Sequence, residues 1–344
     1  MQITENQPLA PYTTFGIGGP ARWFAQPLSE EDIAEACAWA GARGLPLFVL
    51  GGGSNVLVSD SGFAGLVLHV ALLGVEQEGN LFRVAAGEPW EHCVQRSTEA
   101  GFAGIECLAG IPGTVGGTPV QNVGAYGQEV ASVIERVRVF DIGERRFVEF
   151  TAAECAFSYR RSRFNSTDRG SFIVTRVEYR LRPGGSPNLS YADLKVRFQH
   201  SSDPPSLVEV AKVVRAIRQS KGMLLVEGDP DCRSAGSFFK NPAVSREESD
   251  RIRQLAGSAG VTLRIFPADR ELVKVPAGWL IEQAGFTKGY TEGPAAISSR
   301  HTLALINRGG ATAGEILALA KKIADAVEAK FGLRLEMEPE KVGF

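Results

Sequence analysis

Gly51-Gly-Gly-Ser-Asn55 is the first segment whose residue types suggest chemistry. Successive glycines leave backbone N–H groups unshielded, and Ser54 and Asn55 add side-chain donors, so the segment suits an anion such as a pyrophosphate. The same letters fit a hairpin turn that needs positive φ, and on letters alone the two readings weigh equally. Gly110–Gly127 is a second glycine-rich stretch, with Pro112, Pro119 and few charges. Such a composition makes a poor helix and a poor strand. A loop that long inside a compact domain is functional or disordered. Disorder is disfavoured, because Ile111, Val115, Val120, Val123 and Tyr126 can all be buried. A loop wrapped around a flat, extended cofactor is the better reading. Three further segments carry polar chemistry: Ser158-Tyr-Arg-Arg-Ser162, Ala235-Gly-Ser-Phe-Phe-Lys-Asn-Pro242 and Glu336-Met-Glu-Pro-Glu340. Taken alone they read as a basic turn, a strand start and a solvated acidic tail.

Gly16-Ile-Gly-Gly-Pro-Ala21 matches the letters of the dinucleotide fingerprint, but its context does not. That fingerprint must follow an apolar strand and open a helix. Here Pro11-Tyr-Thr-Thr-Phe15 precedes it, Pro20 breaks it, and Trp23-Phe24 continues as a strand.

The elements that must position these residues are legible in part. Ser29 is a helix N-cap, with Glu30, Glu31 and Asp32 in the first turn and Ile33, Ala36, Cys37 and Ala40 on one face. Leu47–Leu50 and Val56–Val58 are short apolar strands joined by the glycine loop. Pro89 opens a helix carrying Trp90, Cys93, Val94 and Ser97, closed by Gly101. Strands are expected around Val133–Phe140, Phe147–Phe150 and Phe172–Leu181. A helix near 206–220 buries Leu207, Val210, Val214 and Ile217. The composition shifts near 222–236, which marks a boundary. Beyond it come a helix near 247–257, a strand near 261–266 and a short helix from Pro276. A long helix follows, with Thr312 and Glu315 as a capping box.

The 344 residues suggest two or three domains of α+β class. A net charge of −2, from 37 basic and 39 acidic residues, argues against nucleic acid as the main partner. The N-terminus lacks a signal-peptide pattern, and the apolar runs are too short to span a bilayer. The five scattered cysteines indicate neither a disulfide framework nor a zinc site. A cytoplasmic protein without a metal is expected.

Thr14-Phe-Gly-Ile-Gly-Gly-Pro-Ala21, Gly51-Gly-Gly-Ser-Asn-Val-Leu57, Gly110-Ile-Pro-Gly-Thr-Val-Gly-Gly117 and Gln121-Asn-Val-Gly-Ala-Tyr-Gly127 resemble, in order, the FAD-contacting segments of the UDP-N-acetylenolpyruvoylglucosamine reductase family. The resemblance spans nearly the whole chain. It implies a vanillyl-alcohol-oxidase-like (PCMH-type) FAD fold of two subdomains and a third α+β domain for the substrate. The boundaries expected are 1–69, then 70–221 joined by 333–344, then 222–332. Noncovalent FAD is expected, held by Gly51, Gly52, Gly53, Ser54, Asn55, Gly110, Gly113, Thr114, Gly116, Gly117, Gln121, Asn122, Gly124 and Ala125.

The resemblance also implies the chemistry. NADPH gives hydride to the flavin N5, and the enolpyruvyl ether of UDP-N-acetylglucosamine then takes the same pocket and receives that hydride at C3. Arg160 and Glu340 stabilise the enolate-like intermediate, with Glu338 as the fallback for Glu340. Ser237 protonates C2, giving UDP-N-acetylmuramate for peptidoglycan. Tyr126, Tyr191, Lys221, Asn241 and Gln283 are expected to bind substrate, with Lys274 and Lys288 weaker candidates. Tyr191 resembles the mobile tyrosine of the family's longer subclass. A monomer is expected. Two departures stand out: Val342 sits where the family carries an arginine, and Gly222–Cys232 is insertion-like, a longer linker into the third domain. The rival reading is a sibling flavoenzyme oxidising an alcohol or hydroxy acid.

Overall fold

The computed structural model describes residues 1–201, 203–257, 263–267 and 271–344. It divides into two compact units: residues 1–8, 20–53 and 63–220 form the first, and residues 9–19, 54–62 and 221–344 the second.

Two sheets and one continuous apolar core build the first unit. The strands Ile3–Pro8, Pro20–Ala25, Phe63–His69 and Leu47–Leu50 lie in that order, the first pair antiparallel and the others parallel. The helix Glu30–Gly41 starts where Ser29 Oγ accepts the Asp32 N–H at 3.1 Å, and it buries Ile33, Ala36, Cys37 and Ala40 in the core that holds Leu66 and Leu68. Five antiparallel strands make the second sheet, ordered Arg146–Thr151, Ile134–Asp141, Phe172–Arg180, Leu81–Ala85, Val75–Glu78. A bidentate pair ties the helix to this sheet, with Arg138 Nε and Nη2 donating to Glu30 at 2.8 and 3.0 Å. Burial alone would raise the Glu30 carboxyl, but hydrogen bonds from Arg138 and Thr175 hold it below its ordinary value.

The second unit is organised by the helix Ala313–Phe331. Its capping box is complete: Thr312 Oγ1 accepts from Glu315 N–H at 3.1 Å, and Glu315 accepts from Thr312 N–H at 2.8 Å. Gly332, at φ 70°, ends it in the left-handed conformation that glycine adopts without strain. Asp60, from the short arm 54–62, accepts from the first-turn N–H groups of Ala313 and Gly314 at 2.8 and 3.1 Å. The face Ile316, Ala320, Ile323, Val327 and Phe331 is buried in one core with Ile297 and Leu305 of the small sheet Thr291–Glu292, Ala295–Ile297, Leu305–Asn307.

Leu47–Leu50 and Val56–Val58 are strands at the expected residues, joined through the glycine loop, but they do not pair with each other: the first pairs with Phe63–His69 in the first unit, the second runs parallel to Glu340–Val342 in the second. Residues 333–344, expected beside 70–221, group instead with 221–332, because their strand pairs with an arm of that same unit. Of the strand expected near 261–266, residues 261 and 262 lie outside the described residues, and the strand seen is Phe266–Pro267. The unit break after Ser220 falls one residue from the expected boundary, and the expected division at 69 falls inside the first unit.

Candidate active site

In the first unit the two glycine-rich stretches meet, and the contact explains why they are glycine. A Cβ on Gly52 would lie 2.5 Å from Gly113 Cα, and one on Gly51 would lie 2.8 Å from Thr114 Oγ1. Backbone packs on backbone, so any larger residue at 52 forces the loops apart. The second loop is pinned from below. Gly113 C=O accepts from Trp90 N–H at 3.0 Å, Val115 N–H donates to Glu88 C=O at 2.9 Å, and Gly116 N–H donates to Ala86 C=O at 2.8 Å. Gly117 faces open space.

Sequence reasoning missed the group that fixes the start of this loop. Glu91 accepts the Gly110 N–H, and Arg218 Nε donates to the Gly110 carbonyl at 2.9 Å. Arg218 is buried at the end of the apolar stripe Leu207, Val210, Ala211, Val214. An arginine four residues past Val214 on that stripe was the available signal. Burial pulls Arg218 below the ordinary arginine value. The Tyr126 hydroxyl, hydrogen-bonded to it, and Glu91 act against that, while nearby Arg160 adds to it.

Around this arginine the first unit gathers Tyr126, Tyr191 and Arg160. The Tyr126 and Tyr191 rings meet edge to face at 5.2 Å. Arg160 Nη2 donates to Gly124 C=O at 2.8 Å, and its own carbonyl accepts from Asn165 Nδ2 at 3.1 Å. Asn122, Tyr126 and Arg160 all have positive φ, at 45°, 48° and 54°. Such conformations persist only where the surroundings over-determine them. The Asn122 side chain does that work, donating to Glu129 and to Ser158 C=O, each at 3.0 Å, and accepting from Ala131 N–H at 3.1 Å. It is committed to the protein on both ends. Gly124 and Ala125 pair with Gln128–Glu129, and Gln121 is half-buried beside them.

The second unit assembles the serine segment and the acidic tail by backbone pairing. Phe238 N–H donates to Leu303 C=O at 2.7 Å, Glu338 N–H to Phe238 C=O at 2.9 Å, and Lys240 N–H to Glu336 C=O at 2.9 Å. One step further, Glu340 N–H donates to Asn55 C=O at 2.9 Å, and Asn55 Nδ2 to Glu338 C=O at 3.4 Å. Ser237, Glu338, Glu340, Ser54 and Asn55 therefore belong to one folded unit, and Arg160 to the other. Ser237 is half-buried and follows Gly236, whose φ is 69°. Asn241 Oδ1 accepts from Ala277 N–H at 2.9 Å, which starts the helix Ala277–Gln283. The carbonyl of Gln283 accepts from Lys330. Lys221 and Lys274 are half-buried and Lys288 is exposed. Val342 is a core residue opposite Val58, and Lys341 is exposed, so neither replaces the family's arginine in kind.

The donor set of the first unit suits a flat anionic cofactor. The two glycine loops pack backbone to backbone, and at Gly117 a Cβ would meet nothing within 4 Å, which leaves the backbone there open to a ligand. No histidine or cysteine stands in these loops to form a covalent link. No group of side chains able to hold a metal ion occurs among the described residues, and no described helix is long and apolar enough to cross a membrane.

Comparison with known proteins gives the same picture. Residues 21–149 match the family described as FAD binding domain, and residues 229–342 the family described as UDP-N-acetylenolpyruvoylglucosamine reductase, C-terminal domain. The chain is 44% identical to the UDP-N-acetylenolpyruvoylglucosamine reductase of Streptomyces coelicolor, over 100% of this chain and 91% of the relative. It is 44% identical to that of Thermobifida fusca, over 99% and 98%. The crystal structure of UDP-N-acetylenolpyruvylglucosamine reductase from Thermus caldophilus is 28% identical, with a TM-score of 0.69 over 99% of this chain and 98% of that one.

Proposed function

The chain belongs to the UDP-N-acetylenolpyruvoylglucosamine reductase family, and from that membership we propose which of its residues carry the reaction. Its fold is the α+β, PCMH-type FAD-binding fold with an added substrate domain. The enzyme reduces UDP-N-acetylglucosamine enolpyruvate to UDP-N-acetylmuramate for peptidoglycan synthesis, using FAD and NADPH. FAD supplies a hydride carrier, which amino-acid side chains lack.

In this reading Gly51, Gly52, Gly53, Gly110, Gly113, Thr114, Gly116, Gly117, Gln121, Gly124 and Ala125 hold the cofactor through backbone and short polar groups, with Ser54 and Asn55 beside them. Asn122 serves the same loop by fixing its shape. Arg160 grips the substrate carboxylate with a charged, planar fork, whose strength grows as that carboxylate gains enolate character. Glu340 steadies the same developing charge distribution, and Ser237 delivers a proton to C2. A serine hydroxyl is a weak acid, and it serves here because a carbanion-like carbon is a strong base. Tyr126, Tyr191, Lys221, the amide nitrogen of Asn241 and Gln283 orient the nucleotide sugar. The division into subdomains 1–69 and 70–221 and a substrate domain from 222, a cytoplasmic location and a monomeric state complete the proposal.

The observation that carries it is the backbone zipper of the second unit, in which the segments of Ser237, of Glu338 and Glu340 and of Asn55 hydrogen-bond in sequence. The test is the visible spectrum of the purified protein, reduced anaerobically with NADPH and mixed with UDP-N-acetylglucosamine enolpyruvate. The flavin band should bleach and then recover. In Ser237→Ala the bleaching should persist at the wild-type rate, while recovery slows on the order of 10²- to 10⁴-fold, the usual contribution of a general acid. Equal recovery in wild type and Ser237→Ala would remove Ser237 from this role.

A further inference from the structure

The stretch 222–232 has no role in the account above, and its geometry is not that of a linker. A Cβ placed on Gly222 would lie 3.0 Å from Asp231 Cβ and 3.3 Å from Arg300 Nε and Nη2. Residues 222–231 thus leave and return to one point, as an Ω-loop does. A single arginine closes it. Arg300 Nε donates to Asp231 Oδ2 at 3.0 Å, and Nη2 donates to Asp229. Ser299 adds its hydroxyl to Asp231 Oδ2 at 2.6 Å and its N–H to Oδ1 at 3.3 Å, and Asp229 Oδ1 accepts Asp231 N–H at 2.9 Å. Asp231 is 5% exposed. Burial alone would raise its carboxyl, but the Ser299 and Arg300 hydrogen bonds outweigh it and keep the group charged.

The knot has a functional residue on each side. Lys221 immediately precedes Gly222. On the other side the chain runs from Asp231 to Ser237 under close control. Arg233 C=O accepts Asn307 N–H at 2.9 Å, Ser234 C=O accepts Thr14 Oγ1 at 2.5 Å, and Ser234 Oγ accepts Gly236 N–H at 3.2 Å. We propose that Arg300, forked between Asp229 and Asp231, is a positioning residue that sets Lys221 and the Ser237 turn relative to each other, so that the substrate and its proton donor are held in register. The inference rests on the functional reading above, which gives Lys221 and Ser237 their roles. Arginine is required because one planar group must face two carboxylates from different atoms, which a lysine ammonium on a flexible stem does not reproduce. Small misplacements of a reacting group are costly, on the order of 10²-fold for about 1 Å.

Anaerobic stopped-flow on the full-length holoenzyme separates positioning from mere stability. Arg300→Lys should keep its flavin and its limiting rate of reduction by NADPH within about twofold, since that step needs no proton from Ser237. Its limiting rate of reoxidation by UDP-N-acetylglucosamine enolpyruvate should fall on the order of 10²-fold. Asp229→Asn loosens only the outer half of the fork, and should give the same split at smaller size, including where Arg300→Lys proves too unstable to purify. Both half-reactions falling together with the melting temperature would reduce the knot to a structural role and overturn the proposal, as would two unchanged half-reactions. Wild-type flavin that this substrate fails to reoxidise would strike the functional reading instead.

Discussion

The two units place their candidate residues by different means. The first works with backbone: glycine loops so close that Gly52 has no room for a methyl group, with side chains such as Asn122 and Arg218 spent on holding peptide groups. The second brings side chains together: Ser237, Glu338 and Glu340 sit on segments zipped by backbone hydrogen bonds from distant parts of the chain. Backbone recognition suits a cofactor that stays bound and makes no demand for proton transfer. Proton delivery and enolate stabilisation need specific functional groups, and these can be exchanged one at a time. Cofactor retention and chemistry are therefore expected to fail separately under mutation.

Gly52→Ala puts the largest strain on that comparison. The methyl group meets Gly113 Cα at 2.5 Å, and a backbone atom has no rotamer by which to escape. Overpacking of this kind costs about 1–3 kcal/mol, and here it falls on the cofactor loops. The expected outcome is a folded protein that purifies with little flavin, read from the visible absorbance per protein. A fully yellow Gly52→Ala protein would break the claim that the first unit works by close backbone approach. Thr312→Ala sharpens the comparison from the other side. It removes one half of the capping box and should lower stability by about 1 kcal/mol. Thermal melting monitored by circular dichroism should show the loss, with flavin content at low temperature unchanged.

The smallest effect is one of pH. Hydrogen bonding to Arg300 holds the Asp229 carboxyl below its ordinary value in the folded protein. A carboxyl lowered on folding stabilises above its unfolded value, near 3.9, and loses that contribution as pH falls through the folded value. The melting-temperature gap between wild type and Asp229→Asn should be widest at pH 5 to 7 and close below about pH 4. A gap that widens on acidification would show that the carboxylate is not the stabilising form.

Legibility in the sequence followed the range of the interactions. The start of the helix Ala313–Phe331 and its apolar stripe were readable, because the capping box and the 3.6-residue period are local. The glycine clusters were readable as loops for a pyrophosphate and a flat cofactor, and their resemblance to a family gave that cofactor its identity. The partner of Val56–Val58 was not readable, since a three-residue strand has no period and its pairing with Glu340–Val342 is settled by tertiary packing. Arg218 was hidden for a related reason: its role is fixed by Gly110 and Tyr126, which approach only in the fold. The loop 222–231 looked like a linker because its closure depends on Arg300, far along the chain.

The chain crosses between the two units at 8/9, 19/20, 53/54, 62/63 and 220/221. Two early arms, residues 9–19 and 54–62, belong with material made last: Asn307 donates to Phe15 C=O, and Glu340 to Asn55 C=O, both at 2.9 Å. On the ribosome these arms must wait for their C-terminal partners until nearly the whole polypeptide has emerged. Pairing at such separation is slow and leaves strand edges exposed meanwhile. A break after Ser220 would not release a self-sufficient C-terminal piece, because that piece would lack Phe15, Leu57 and the helix cap Asp60. Construction of the enzyme from two separately expressed halves would thus need both arms grafted onto the second half.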